Sequence, residues 1–587
     1  MHLRLFAVIL ALLSASSINA KNVQLTDCGL LGPGYPMPAN LGKSKAIQDA
    51  QKKFSSFLAQ AVKNGTTTWG EFDSVNTSIS VGVFSTQSDK LLAEFHHIGS
   101  KSGNKAHLTG GKLDGDTIYR TGSVGKMLSV YTFLAKLGPS YWSDPITKYI
   151  PELANVPVDN TVRNVNWSEI TLGSLAGQMS GLPRDYALGD LSPTPGLTAL
   201  GFPELKASEI TTCGTIGLPN CSREEAIRLL LKQNPIAPSW QTPVYGSETY
   251  QLMAMAYENI SGEPFAEAFR TGLVVPLGLK RTFWTWPGND SNAVWADPKE
   301  ANTWESSLGL ENAAGGTWAS LHDFAAIGRS VLRSSILPPY VTREWLKPNS
   351  HSNDPNSAVG KPWEIFGMEV PVSEGSKTTR NVYLYTKNGG IGGYNGQLIL
   401  SPDHNIGIAV FVTYFNPTTD GAGSSTLWTI NEMAVQTWIT AAETAAREAA
   451  AANFVGTFAS QDGLNSSISL AMVPNHQGVR IARLIYNNTD FLDVLNTELG
   501  HPGMTIQYTN LQDDGQLAFR GVLQSQKQQT SPSVVFQRDC NAYWTEVDTI
   551  SYGGVGVDEF IITVDRNGKA TGVEMPFLRT NFSKRVK

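Results

Sequence analysis

Long apolar runs are nearly absent from this chain of 587 residues, and what is missing narrows the field. The one clear run, Leu5 to Leu13, is about nine residues, where ~20 are needed to cross a bilayer, so no membrane anchor is expected. Charge is sparse. Charged residues make up 16% and the net charge is −6, with no Lys/Arg cluster, which excludes the basic stripe that nucleic-acid binding requires. There are only four cysteines and no C-x-x-C or H-E-x-x-H motif, so no metal or redox centre and no cofactor is expected. No internal repeat occurs, and the only biased tract is Ala-rich, at 441–452.

What is present points to export. His2 and Arg4 precede the apolar run, and small and polar residues follow it to Ala20, the pattern of a secretory signal peptide over 1–20. The mature protein is expected to be soluble, secreted and extracellular. The triplet Asn-x-Ser/Thr begins at Asn64, Asn76, Asn166, Asn220, Asn259, Asn289, Asn465, Asn487 and Asn581, which in an exported chain suggests a glycosylated surface. An even cysteine count suits an oxidising compartment. Four cysteines allow three connectivities. Cys213 and Cys221, eight apart in a Gly/Pro/Thr-rich segment, favour a small closed loop, which leaves Cys28 for Cys540.

The length predicts more than one domain. Residues 44–63 place Ile47, Phe54, Phe57, Leu58 and Val62 on one helical face. Residues 78–84 alternate, with Ile79, Val81 and Val83 inward, and 91–97 reads as the partner strand. Far downstream, 397–400 and 406–412 flank Ser401-Pro-Asp-His-Asn405, a hairpin signature. Strands at both ends with helices between them predict an α+β domain over 21–440 with an antiparallel sheet. The Ala-rich stretch 441–452 reads as a helical connector, and 453–587 as a small all-β domain, a barrel or sandwich.

The chemistry centres on Ser123-Val-Gly-Lys126 at the start of a predicted helix over 123–137. A spacing of three puts both side chains on one face. A serine hydroxyl needs a base, and an amine partly desolvated by an apolar helix face can serve as one. The helix start also aims backbone N–H groups at a developing oxyanion.

In context, Asp116-Thr-Ile-Tyr-Arg-Thr-Gly-Ser123-Val-Gly-Lys126 resembles the nucleophile segment of the serine β-lactamase family, of the class C type, and of the related penicillin-binding-protein-like esterases. Tyr141 to Glu152, Ile170 to Pro183 (ending Ser-Gly-Leu-Pro), Val275 to Gly278 and Ala314-Gly-Gly316 resemble the family's connecting landmarks in order. The second box is similar to Tyr-x-Asn but reads Tyr245-Gly-Ser247, and the third reads Lys387-Asn-Gly389, with Gly390 next. The resemblance covers roughly 40–440 and implies an antiparallel sheet flanked by helices plus an all-α subregion. Fungal secreted proteins similar to this one carry appended C-terminal domains. The resemblance further implies that Ser123 forms an acyl-enzyme, that Lys126 and Tyr245 move the proton, and that the N–H groups of Ser123 and Gly390 form the oxyanion hole. Lys387 would face a substrate carboxylate, with Gly389 beside it in the binding edge.

Ser247 departs from the family pattern, because serine makes fewer hydrogen bonds than asparagine; ester or amide cleavage is therefore expected ahead of β-lactam inactivation. The expected partner is a small-molecule or peptide-like acyl substrate. The rivals are an acyltransferase using the same acyl-enzyme and an inactive binding protein. His96, His97, His322 and His404 show no triad spacing and read as structural. Gly389-Gly-Ile-Gly-Gly393 reads as a tight turn, and Trp240 as a cleft-wall residue.

Overall fold

Ser78, Ser80 and Gly82 alternate with Ile79, Val81 and Val83, yet all nine residues of the strand β1, Thr77–Ser85, are buried in the computed structural model. The reason is that both faces of its sheet are covered. The structure describes residues 28–101, 107–215, 218–288, 292–296, 304–415, 422–525, 540 and 543–584. The signal segment 1–20 and Asn289 lie outside them.

Two compact units divide the chain. One comprises 37–371 and 381–445; the other holds the described parts of 1–36, 372–380 and 446–587. In the first, an eight-stranded antiparallel sheet is built from β1, β2 (Ala93–His97), β3 (Ser350–His351), β4 (Ser357–Val359), β5 (Glu364–Pro371), β6 (Thr379–Ile391), β7 (Tyr394–Ser401) and β8 (Ile406–Tyr414). Its order is β2-β1-β8-β7-β6-β5-β4-β3, so early and late strands meet at β1–β8, with Val81 opposite Val410. The helix α1, Lys45–Asn64, buries Ile47, Phe54 and Leu58 against Ile79, Val81 and Val410 on one face. A long helix, Ala422–Phe454, covers the same face with Ile430, Met433 and Trp438, whose ring meets Phe54 edge-on at 6.0 Å. The other face carries Phe84 and Phe411 into a larger core shared with the helices Gly125–Leu137, Glu248–Ser261 and Leu321–Arg333.

The α+β class with an antiparallel sheet is thus observed, and the expected helix, strand pair and hairpin occur within three residues of their predicted bounds. The Ala-rich stretch is part of the helix Ala422–Phe454 rather than a separate connector. The glycine turn is narrower than the sequence suggested: β6 runs through Gly389 and Gly390 to Ile391, leaving Gly392 and Gly393 to reverse the chain.

In the second unit, strands Gly456–Ser460, Ser467–Ala471, Val479–Tyr486, Gly503–Asp513, Gln516–Gln524, Glu559–Val564, Ala570–Met575 and Thr580–Lys584 pair antiparallel around a closed circuit. The strand Ser467–Ala471 closes it by pairing with both Gly456–Ser460 and Val479–Tyr486. Closure leaves no unpaired edge. Inward Ile468, Ile481, Met504, Phe519, Phe560 and Phe582 are buried.

Both expected disulfides are present, Cys28–Cys540 and Cys213–Cys221. Among the described residues no helix is long and apolar enough to cross a membrane. Asn64, Asn220, Asn259, Asn465, Asn487 and Asn581 are exposed, whereas Asn76 and Asn166 are half-buried.

Cys28–Cys540 closes a loop of 512 residues, and removing such a bridge usually costs about 2–5 kcal/mol. The double substitution Cys28→Ser with Cys540→Ser is expected to lower the melting temperature of the C-terminal unit's transition in calorimetry. An unchanged transition would show the bridge to be energetically idle.

Candidate active site

Three backbone segments meet at Ser123, and glycine is what lets them. Gly122 has φ +53°, and a Cβ there would lie 2.7 Å from the Gly390 nitrogen. A Cβ on Gly315 would lie 2.9 Å from the Gly122 carbonyl carbon, and one on Gly389 would fall 2.2 Å from the Thr121 oxygen and 2.7 Å from the Ser123 nitrogen. Bulkier residues at any of the three would push the nucleophile's turn away from the strand β6. Thr121 anchors that turn from behind, its Oγ1 2.6 Å from Thr317 Oγ1. Ser123 occupies a 3-10 turn, Gly122–Val124, that leads into the helix Gly125–Leu137.

One helical turn on, the fully buried Lys126 donates from Nζ to Ser123 Oγ at 3.1 Å, Ser247 Oγ at 3.3 Å and the Ala314 carbonyl at 2.9 Å. Ser247 sits at the N-cap of the helix Glu248–Ser261, where a serine usually caps, but its side chain makes no capping bond. Its hydroxyl serves Lys126 instead. The Tyr245 ring is ringed by cations: Lys126 Nζ lies 4.9 Å from its centroid, Lys387 Nζ 5.3 Å and the Arg184 guanidinium 4.7 Å.

These surroundings move both proton carriers downward. Burial lowers the Lys126 ammonium below its usual range, against the opposing pull of Tyr245, and Lys387 adds to the lowering. Burial alone would raise the Tyr245 phenol. The charges of Lys126 and Lys387, with hydrogen bonds from Ser123 and Lys126, outweigh it and leave the phenol more acidic than usual. The pair titrates as one coupled system.

The structure thus brings Ser123, Lys126, Tyr245, Ser247, Lys387, Gly389 and Gly390 together. Ser123, Lys126, Ser247 and Gly390 line a cleft of about 510 Å³, whereas Tyr245, Lys387, Gly389 and Trp240 are not among its lining residues. Thr215 and Asn220, from the loop closed by Cys213–Cys221, line it too.

Lys387 departs from expectation. Its side chain is 1% exposed and ion-paired with Glu364, whose other oxygen accepts the Asn388 N–H at 2.9 Å. Its charge already has a partner, so it does not stand open to a substrate carboxylate. Glu364 was invisible in the sequence because it reaches Lys387 across the β5–β6 pair, 23 residues away. Arg184 directly follows Ser180-Gly-Leu-Pro183, and that adjacency was a usable signal.

The histidines take structural places. His404 bridges Ser401 and Glu443 at 2.8 and 2.9 Å inside the core, and His97 bonds the Ser74 carbonyl at 2.8 Å. His96 joins Ser80 to Glu94, and His322 joins Glu94 to Asp116. Among the described residues no cluster of His, Cys, Asp and Glu is arranged to hold a metal ion.

Two outcomes follow from this geometry. A misplacement near 1 Å costs about a hundredfold in rate, so Gly389→Ala is expected to slow covalent labelling of Ser123 by roughly that factor while far-ultraviolet circular dichroism stays unchanged. Separately, burial raises the Glu248 carboxyl well above its ordinary 4.5, and burial with the charge of Asp185 pushes Glu311 up to about 8. The folded state therefore holds protons that the unfolded state releases, and stability is lost as pH rises from 4.5 upward through 8. Thermal melts across that window should show this fall, and Glu248→Gln should flatten it; an equally steep fall in the variant would reject the assignment.

Comparison with known proteins follows the same lines. The chain is 29% identical to a "Beta-lactamase-like protein" of Arthroderma benhamiae, over 96% of this chain and 97% of that one. It is 24% identical to "Probable hydrolase M10" of a Phoma species, over 80% and 75%. It is 22% identical to the "D-alanyl-D-alanine-carboxypeptidase/endopeptidase AmpH" of Escherichia coli K12, over 51% and 71%. A family profile described as "Beta-lactamase-like-like, C-terminal domain" matches residues 446–586. The profile described as "Beta-lactamase" matches residues 93–429, more than half of the sequence and every residue gathered around Ser123, and the chain belongs to the β-lactamase family.

Proposed function

We propose that this protein is a secreted serine hydrolase that cleaves an ester, amide or lactam through an acyl-Ser123 intermediate. The observation that carries the reading is a fully buried lysine amine 3.1 Å from a serine hydroxyl that lines an open cleft. A protonated lysine could not take the serine proton; burial favours the neutral amine, which can. Tyr245, made more acidic by the two lysines, shares the same proton.

In the first half-reaction Ser123 Oγ attacks the acyl carbonyl carbon while its proton passes to the Lys126–Tyr245 pair. The carbonyl oxygen, now negative, is held by the N–H groups of Ser123 and Gly390. Collapse expels the alcohol or amine, which leaves with the proton from the pair. Water then attacks the acyl-serine with the pair again accepting a proton, and Ser123 is restored as the acid departs. Every proton is returned, and no metal or cofactor takes part in the scheme.

The substrate is a small-molecule or peptide-like acyl compound. Ser247 gives Lys126 one hydroxyl partner and has no amide with which to hold a lactam side chain, which favours ester or amide substrates. The signal-like segment 1–20, the exposed Asn-x-Ser/Thr sites and two disulfides support secretion and glycosylation.

The test is intact mass after incubation with a fluorophosphonate and, separately, a fluorescent penicillin. The wild type should gain one adduct on Ser123, Ser123→Ala none, and Tyr245→Phe should label about a hundredfold or more slowly. A folded wild type that takes no adduct from either reagent overturns the reading.

A further inference from the structure

Among the eighteen residues lining the Ser123 cleft, two carry ionisable charge, Lys126 and Glu311. Lys126 is committed to Ser123, Ser247 and the Ala314 carbonyl. Nearby Lys387 is paired with Glu364, and Arg184 lies over the Tyr245 ring without lining the cleft. Glu311 is therefore the charged group left for a substrate.

The positive charge that acts on it is that of Lys126, which is already committed to its three acceptors. Glu311 is 7% exposed, and its Oε1 has no hydrogen-bond partner. Asp185, Tyr186 and, further in, Glu248 are its neighbours. Asp185 Oδ2, both carboxyl oxygens of Glu248 and both amide atoms of Gln251, one helical turn beyond Glu248, are likewise buried short of a well-formed hydrogen bond, with Gln233 beside Glu248 and Tyr186 beside Gln251. Lone buried polar atoms are costly, and several acceptors concentrated behind one wall of a substrate cleft make a place where a donor with positive charge gains most. An ammonium supplies both the charge and three N–H donors. A substrate carboxylate would meet further carboxyl groups there and the charge of Asp185, with no free cation to hold it.

We propose that Glu311 is the specificity residue of this cleft and selects acyl substrates that bear a protonated amine. This rests on the serine-hydrolase reading above and deepens it by naming the substrate's charge. Without an occupant, burial and the charge of Asp185 keep the Glu311 carboxyl protonated to about pH 8. An ammonium seated against it supplies a further, uncommitted positive charge and lets it ionise.

The test compares esters that differ in charge. Methyl esters of glycine, β-alanine and 4-aminobutyrate are set beside their N-acetyl forms and beside monomethyl esters of dicarboxylic acids, all at neutral pH. At the best chain length, kcat/KM for the amine should exceed that of its N-acetyl form by about tenfold or more, and the carboxylate ester should be slowest. Glu311→Gln should bring the ratio of amine to N-acetyl close to one. Equal or faster cleavage of the N-acetyl or carboxylate ester by the wild type overturns the proposal.

A second measurement needs neither catalysis nor a variant. n-Butylammonium should raise the melting temperature of the wild type more than butyrate does at equal ionic strength, and no difference between them counts against the proposal. A protein that shows the ammonium shift but cleaves no ester and takes no fluorophosphonate refutes the serine reading alone. One that cleaves esters without preferring the amine refutes this proposal alone.

Discussion

The site depends on burying the Lys126 ammonium with no carboxylate touching it. Such a group is costly in an apolar interior, and the structure meets that cost with geometry instead of an ion pair. Three acceptors, Ser123 Oγ, Ser247 Oγ and the Ala314 carbonyl, match the three protons of an ammonium. Two of them are hydroxyls, which can turn round and donate to the lone pair of a neutral amine. The same shell therefore satisfies both protonation states, so a proton can come and go without a rearrangement. An ion pair would have fixed the charged form and removed the base.

Holding that shell requires the backbones to come close. Ser123 belongs to a helix start, Ala314 to the segment before Gly315, and Gly390 to β6. At Gly122, Gly315 and Gly389 these segments approach closely enough to place an amine, a hydroxyl and two N–H groups around one point. The sheet explains why the approach is stable. Paired through β7, β8 and β1 and packed on both faces, β6 is a rigid edge for the site. The long helix Ala422–Phe454 and α1 on the far face lie away from the chemistry, but they fill the core that keeps the sheet in place.

What was legible beforehand follows from the range of each interaction. Ser123 and Lys126 are three residues apart, so helical spacing alone put them together, and the inward alternation of Ile79, Val81 and Val83 showed the strand. Burial of the opposite face, with Ser78 and Ser80 in it, was hidden because those residues are polar and its cover is distant in sequence: Tyr119 lies 2.7 Å from Ser80 Oγ, and Leu321 lies against Gly82. Lys387 lies beside the Tyr245 ring, as the order of the boxes suggested, but is held in an ion pair. The charge that neutralises it, Glu364, sits on a neighbouring strand with no motif around it. The Ala-rich stretch read as a helical connector because alanine favours helix; that the helix reaches back to Ala422 and buries Leu427 to Ala445 against the sheet is a tertiary fact. Closure of the C-terminal strands into a barrel rests on one pairing, Ser467–Ala471 with Val479–Tyr486, that composition alone does not separate from a sandwich.

The charges around Ser123 are therefore sorted rather than mixed. Lys126, Lys387 and Arg184 gather about the Tyr245 ring, while Asp185, Glu248 and Glu311 form a second group whose members act on one another. Lys126 and Lys387 make the phenol more acidic than usual, an effect that would be lost if a substrate carboxylate drew them away. Pairing Lys387 with Glu364 guards against this by fixing one cation in place independently of the ligand. Proton handling centres on the cations about Tyr245 and the proposed recognition of substrate on Glu311, and the two are coupled, because a charged Glu311 favours the protonated form of Lys126.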